Sequence, residues 1–390
     1  MKSSQLEFVP IFPAAADLND SEDFNHTYFH ANDFQAARLF LLSYSNNEAT
    51  FRAYRSELEK FCQWLFFSAQ VRLADVQPED IRSYANFLRR PPVSWTSKIQ
   101  HPRFVQNQGQ TIPNPDWRPF TRAAKAQASQ ETLAASLRRL SSLYEFLVEE
   151  NFCAKNPVKR LRQKNQLITR VQTKAQVRRL SDMQWAFVIE FAEKQANENP
   201  QLERTLFIVS LLYGMYLRIS ELTVNERWSP QMSHFWRDQD KQWWFKTIGK
   251  GNKERDISVS DTVLAALRRY REHLNLSPFP VQNEAFPLVP SHQSGQGISS
   301  SRQIRRLVQC CFDGAYALMV EEGLEQDAEE LKVATVHWLR HTGISDDVKH
   351  RPHEHVRDDA GHSSSLITDR YIDIDRRERH ESARNKPMTR

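Results

Sequence analysis

The stretch HWLRHTGISDDVKHRPHEHVRDDAGHSSSLITDRY, residues 337–371, decides how the C-terminal half of this chain is read. Thr335 stands where a helix N-cap belongs, and His337, Arg340 and His341 then share one face at three- and four-residue steps. Six histidines lie between positions 337 and 362, Pro352 breaks the run, and Tyr371 comes nine residues after His362. Working outward, helical periodicity recurs at about Ser181–Gln195, Thr205–Tyr216, Asp261–Leu274 and Ser301–Val320. Trp243–Ile248 and Arg255–Val259 are β-rich runs joined by Gly249-Lys250-Gly251-Asn252-Lys253-Glu254, a hairpin signal. EEGLEQDAEE, residues 321–330, reads as an exposed acidic connection or helix end. The pattern predicts a domain that is mainly helical with a small sheet.

The N-terminal half reads as helical too. Ser45-x-x-Glu48 is a capping-box pattern, and Phe51, Tyr54, Leu58, Phe61 and Leu65 behind it form one apolar face. A second helix is predicted over Pro78–Leu88. A third is capped by Ser129, carries Leu133, Leu137, Leu140, Tyr144 and Leu147, and ends near Asn151, before Asn156-Pro157. Residues 91–120, rich in Pro, Gln, Asn and Trp, show no period and read as a long loop or insertion. The expected division is an acidic flexible leader (1–32), a helical domain (33–165), a basic linker (166–180), a second domain (181–375) and a charged tail (376–390).

A chain of 390 residues has room for two or three domains. Its composition, 40% hydrophobic and 26% charged, is that of an ordinary globular protein, and no run of eighteen apolar residues occurs. The N-terminus lacks the apolar core of a secretory signal. Four cysteines, Cys62, Cys153, Cys310 and Cys311, are too few and scattered for a disulfide framework, so a reduced cytoplasmic setting is expected. Neither GxGxxG nor GxxxxGK[ST] occurs, which removes support for a nucleotide site. Charge is uneven: residues 118–179 carry fourteen Lys/Arg against four Glu, a bias that suits a polyanion as well as a solvated helix face.

Four segments concentrate chemistry: Leu217-Arg218-Ile219-Ser220-Glu221-Leu222, the Gly249–Arg255 turn, His337–His341, and Gly361-His362 leading to Tyr371. Guanidinium forks bind phosphate oxygens and stabilise charge developing on phosphorus. A tyrosine oxygen is a nucleophile once its proton is removed, and histidine or lysine can move that proton. No Asp/Glu cluster has metal-binding spacing, so the inventory suits metal-free attack of a tyrosine on a phosphodiester. Rivals stand beside each reading. Lys253 competes with Lys250, Tyr213, Tyr216 and Tyr270 with Tyr371, and a zinc site built on His337 and His341 with the phosphate site. Glu221 is either a partner behind Arg218 or a surface acid.

In order and spacing these segments resemble the signature boxes of the tyrosine recombinase (phage integrase) family, and the likeness runs over roughly residues 35–375. The resemblance implies a helical core-binding domain and an α+β catalytic domain that together form a C-shaped DNA clamp. Tyr371 would attack a DNA phosphate to give a 3′-phosphotyrosyl link, with Arg218 and Arg340 on the non-bridging oxygens. Lys250 would protonate the leaving 5′-oxygen, His337 would help take the tyrosine proton, His362 would hydrogen-bond the phosphate, and Glu221 and His341 would stand behind them. No metal or other cofactor is implied. The implied partners are duplex DNA with inverted-repeat sites and three further copies of the chain on synapsed DNA, free chains being monomers or dimers, with residues 372–390 exchanged between copies. The implied setting is a bacterial cytoplasm, on the nucleoid when DNA is bound. The stretch SDDVKHRPHEHVRDDA, residues 345–360, departs from the family, which usually has an apolar helix pair there. A silent DNA-binding relative, a topoisomerase IB-like or telomere-resolving strand transferase, and a zinc hydrolase are the alternatives. Target sequence, reaction direction, type of mobile element and accessory DNA-bending proteins stay open.

Overall fold

The computed structural model of the chain describes residues 8–18, 30–121, 128–159, 178–249, 253–292, 294–362, 383 and 384. Two compact units divide between Gln172 and Thr173, within the stretch expected to be a linker. Among the described residues, no helix is long and apolar enough to cross a membrane.

In the first unit the helices Glu48–Trp64, Pro78–Arg89 and Gln130–Glu149 bury the stripes their spacing predicts. Phe51, Leu58, Phe61 and Leu65 meet Ile81, Tyr84, Leu88, Leu133, Leu137, Leu140, Tyr144 and Leu147 in one core. The first of these helices is capped by Asn47, whose side chain accepts from the Thr50 amide, and not by Ser45. A further helix, Ala31–Leu42, was not expected: Asp33, Phe34, Ala36, Ala37, Arg38, Phe40 and Leu41 are all buried, so it shows no single apolar stripe.

Two stretches differ from their expected character. Residues 8–18 are no mobile leader, because Phe8, Ile11, Phe12 and Leu18 belong to the core. Arg55, Glu59 and Gln63, four residues apart on one helix face, hold the backbone of this segment. Arg55 donates to Pro13 O (2.7 Å) and Gln63 to Val9 O (2.6 Å), while the Glu59 carboxylate accepts from the amides of Ile11 (2.6 Å) and Phe12 (3.3 Å). Residues 91–120 are no free loop either. Trp95, Trp117 and Phe120 are buried, Thr96–Ser97 pairs in parallel with Phe120–Thr121, and Phe104–Asn107 pairs with Gln110–Pro113 as a hairpin. Tryptophan anchoring at irregular spacing replaces periodicity.

The second unit packs Asp182–Glu198, Glu203–Gly214, Asp261–His273, Ser301–Glu321 and Val336–Asp347 around a second core. Ser181, Ser260 and Ser300 cap the first, third and fourth of these helices through their hydroxyls, whereas Thr335 makes no side-chain cap bond. The antiparallel sheet has the order Phe235–Arg237, Trp243–Ile248, Glu254–Ser258; its first strand was not anticipated. Residues 321–330 are mostly exposed, as expected, and follow the end of Ser301–Glu321; Glu325–Ala328 and Glu329–Val333 are helical turns anchored by buried Ala328 and Leu331. Val336–Asp347 crosses Glu203–Gly214 so closely that a Cβ at Gly343 would overlap the carbonyl of Tyr213. Beyond Pro352 the chain forms one more helix, His353–Ala360, whose Val356 and Ala360 join Tyr216, Ile344 and Val348 in a small apolar cluster.

Phe12→Ala should destabilise the first unit by about 3–5 kcal/mol, the cost of emptying a fully buried aromatic site. Denaturant unfolding of the variant checks this; a mobile leader would leave the transition unmoved.

Candidate active site

Glu221 organises one side of the site. The chain leaves Glu203–Gly214 through Tyr216 at φ 51°, a left-handed conformation that few bulky residues adopt, and Ile219–Glu221 then makes a single 3₁₀ turn. The Glu221 carboxylate is 1% exposed. It accepts from the Arg218 amide (2.8 Å) and from Arg218 Nη1 (3.0 Å), and takes a two-pronged bond from Arg255 (2.8 and 2.9 Å). Burial alone would raise its pKa, but the Arg255 hydrogen bonds and charge, with the Arg218 contacts, hold it below the usual carboxylate range. Glu221 is therefore a buried partner of Arg218 and not a surface acid. Arg255 also donates from Nε to Asp359 O (2.9 Å).

Arg340 organises the other side. It sits on the face of Val336–Asp347 shared by His337 and His341 and is 2% exposed. Its Nη1 donates to the carbonyl of Tyr216, and its Nη2 to Ala360 O (2.6 Å) and His362 Nε2 (3.3 Å). A guanidinium has no lone pair to offer, so that imidazole nitrogen accepts. His362 is delivered by a glycine turn. Gly361, at φ 63°, ends the preceding helix, the amides of Gly361 and His362 reach back to the carbonyls of Asp358 and Arg357, and a Cβ at Gly361 would come within 2.8 Å of Arg255 Cδ. Arg218 Nη2 lies 3.5 Å from Gly361 O.

The three imidazoles share this positive field. Burial, then the guanidiniums of Arg340 and Arg218, lower the pKa of His337. Burial, then His337, Arg340 and His362, lower His341 to about 3. Burial, then Arg340, Arg218, Arg255 and His337, lower His362 to about 4. His337 and His341 meet edge to face at 4.3 Å between centroids. All three are neutral near pH 7.

Arg218, Glu221, His337, Arg340, His341 and His362, picked from sequence, thus come together. Lys250 and Tyr371, and the tail apart from residues 383 and 384, lie outside the described residues. The residue before Lys250 is described: a Cβ on Gly249 would stand 3.2 Å from Glu221 Oε1 and 3.5 Å from Arg218 Nη1. The competing Lys253 is exposed. Tyr213 and Tyr216 donate to Asp346 and Asp347, and Tyr270 stacks on Phe207; burial first of all pushes each phenol well above its usual pKa. Among the described residues no three His, Cys, Asp or Glu side chains group so as to hold a metal ion. Sequence reasoning missed Arg255. Its only signal was its place at the end of the GKGNKER turn, 34 residues from Glu221.

The depressed imidazoles carry a pH signature. An unfolded chain binds protons on these histidines below about pH 6.5; in the folded unit all three bind them at lower pH, His362 only near pH 4 and His341 near pH 3. Their contribution to stability is whole above pH 6.5 and drains away as pH falls toward 4. The urea midpoint of the second unit should drop between pH 6.5 and 5, above the carboxylate range, and His362→Gln should make that drop shallower. An unchanged slope would mean that His362 titrates as it does in the unfolded chain.

Residues 178–378 match the model of the phage integrase family. The tyrosine recombinase XerD of Rickettsia prowazekii (strain Madrid E) is 30% identical over 149 residues, 37% of this chain and 45% of that protein. The XerD of Staphylococcus saprophyticus is 27% identical over 199 residues, 50% of this chain and 56% of that protein. The chain thus spans about half the length of these curated relatives. Among solved structures, the XerH site-specific recombinase in a post-cleavage complex with palindromic difH substrate superposes with a TM-score of 0.57 at 15% identity, covering 98% of this chain and 99% of that one. A lambda integrase dimer on a COC′ core site gives 0.51 at 13% identity, covering 86% and 93%. At such identities the superpositions speak for the fold, mainly helical with a small sheet. The family match covers more than half of the residues, and the chain belongs to the phage integrase family of tyrosine recombinases.

Proposed function

We propose that the chain is a site-specific DNA recombinase that cuts and rejoins strands through a 3′-phosphotyrosyl intermediate, without metal or nucleotide. The observation that carries the reading is the convergence of Arg218, Arg340, His337 and His362, from segments up to 144 residues apart, with Glu221 and Arg255 behind them. Two guanidiniums that reach the adjacent carbonyls of Ala360 and Gly361 suit the two non-bridging oxygens of one phosphodiester.

In this reading the Tyr371 hydroxyl attacks phosphorus as its proton passes toward His337, and the bond from phosphorus to the 5′-oxygen breaks. Lys250 hands a proton to that oxygen. Arg218 and Arg340 hold the charge that builds on the non-bridging oxygens, and His362 hydrogen-bonds the same group. The 5′-hydroxyl of another strand then attacks the phosphotyrosyl link and frees the tyrosine, so bond energy is conserved and no ATP is consumed. An arriving phosphate places negative charge beside imidazoles whose pKa the arginines depress, which raises their basicity when a substrate is present. Both units would bind the duplex as a clamp at inverted repeats. Four chains would assemble on two duplexes and exchange their C-terminal segments, in the cytoplasm.

The test is covalent trapping. Purified protein and Tyr371→Phe are incubated, in EDTA, with nicked duplexes tiled from DNA flanking the gene, and denaturing gels reveal any adduct. An EDTA-resistant adduct with the parent and none with the variant, while both bind DNA with an affinity that falls steeply with salt, is the expected outcome. An adduct that persists in Tyr371→Phe would displace the nucleophile, and one that requires metal would favour the zinc reading.

A further inference from the structure

The stretch that departs from the family, residues 345–360, does more than fill space. It contains Arg351, which stands between the helices Val336–Asp347 and His353–Ala360 and is about one-third exposed. One arm of its guanidinium, Nη1, donates to Tyr216 Oη (3.0 Å) and Asp347 Oδ2 (3.0 Å). The other, Nη2, donates to Ser258 Oγ (2.9 Å) and Asp359 Oδ2 (2.6 Å). The partners also bind each other: Tyr216 donates to Asp347, and Asp359 accepts from the amide (3.1 Å) and hydroxyl (2.6 Å) of Ser258.

One arm ends at a residue that seats Arg340, and the other at the chain neighbour of one. The Tyr216 carbonyl accepts from Arg340 Nη1. Asp359 precedes Ala360, whose carbonyl accepts from Arg340 Nη2 (2.6 Å), and the carbonyl of Asp359 itself accepts from Arg255 (2.9 Å). A planar fork with fixed donor directions sets the spacing and orientation of the side chains it ties together, and through them of the Tyr216 and Asp359–Ala360 backbone, which apolar packing by five small-cluster residues does only loosely. We propose that Arg351 is a positioning residue for the reaction: it fixes the carbonyls of Tyr216 and Ala360 and so aims the Arg340 guanidinium at the scissile phosphate. The inference rests on the recombinase reading and concerns only how that reading's Arg340 is held.

The test uses the full chain on the duplex site found by trapping, prepared with a normal scissile phosphate or with a methylphosphonate, in which a neutral methyl replaces one non-bridging oxygen. On the normal phosphate Arg351→Met should slow adduct formation by about 100-fold, the scale of a misplacement near 1 Å, while leaving DNA affinity close to that of the parent. On the methylphosphonate, whose five-coordinate state carries one negative charge in place of two, less charge is left for Arg340 to offset, and the gap between parent and variant should shrink to a few-fold. Equal slowing on both substrates would overturn the proposal and leave Arg351 a structural residue only. Arg351→Met leaves the buried Asp359 carboxylate with its Ser258 bonds but no countercharge, a cost to the fold, so Tyr216→Phe is run beside it. That variant keeps the Arg351–Asp347 and Arg351–Asp359 pairs and removes the two bonds of the Tyr216 hydroxyl, to Arg351 and to Asp347; it should give a smaller loss with the same dependence on phosphate charge, and no such dependence counts against the proposal. If the parent forms no adduct on any bound fragment, the recombinase reading fails, and this one with it.

Discussion

The buried carboxylate of Glu221 makes the rest of the site possible. Arg218 and Arg255 converge on it within 3.0 Å, and Arg340 is close enough to depress the same imidazoles that Arg218 does. Guanidiniums gathered in a partly dehydrated cleft repel one another and resist leaving water. A carboxylate inside the group, hydrogen-bonded on both oxygens, offsets that cost where it is greatest. The site can therefore be assembled before any phosphate arrives, and a preformed array of donors is what electrostatic catalysis requires.

Assembly also needs the array to be joined from distant parts of the chain. Glu221 lies on a 3₁₀ turn after one helix, Arg255 on a strand, Arg340 on a late helix and His362 just past the last described one. Backbone carbonyls do much of the joining. Those of Tyr216, Asp359, Ala360 and Gly361 all accept from these arginines. These carbonyls lie at or just past helix ends, where the ladder leaves acceptors unused. The left-handed φ of Tyr216 and the glycine at 361 are the local consequences.

What could be read from sequence follows from the range of each interaction. Gln130–Glu149 was plain because its apolar residues return every three or four positions to one face. Ala31–Leu42 was hidden because burial on several sides erases that contrast. The segment around Phe12 was hidden for another reason: Arg55, Glu59 and Gln63 look like the solvated face of an amphipathic helix, yet they bind backbone that lies over 40 residues away. In the site, Arg218, His337, Arg340 and His362 were legible because short motifs carry them. Arg255 and Arg351 were not, since each gains its meaning only from partners that folding brings close.

The charge balance of the described cluster links the fold to the proposed chemistry. Arg218, Arg255 and Arg340 supply three positive charges and Glu221 one negative, and the histidines are neutral near pH 7. This surplus faces a phosphodiester that would pass through a five-coordinate state carrying two negative charges, and in the proposed mechanism Lys250 would add its own positive charge. Protonated histidines would bind the singly charged ground state more tightly as well, which lowers no barrier. Burial first, and the arginines beside them second, hold the imidazoles below their usual pKa; in the proposed reaction this would keep them as proton acceptors and reserve the excess positive charge for the transition state.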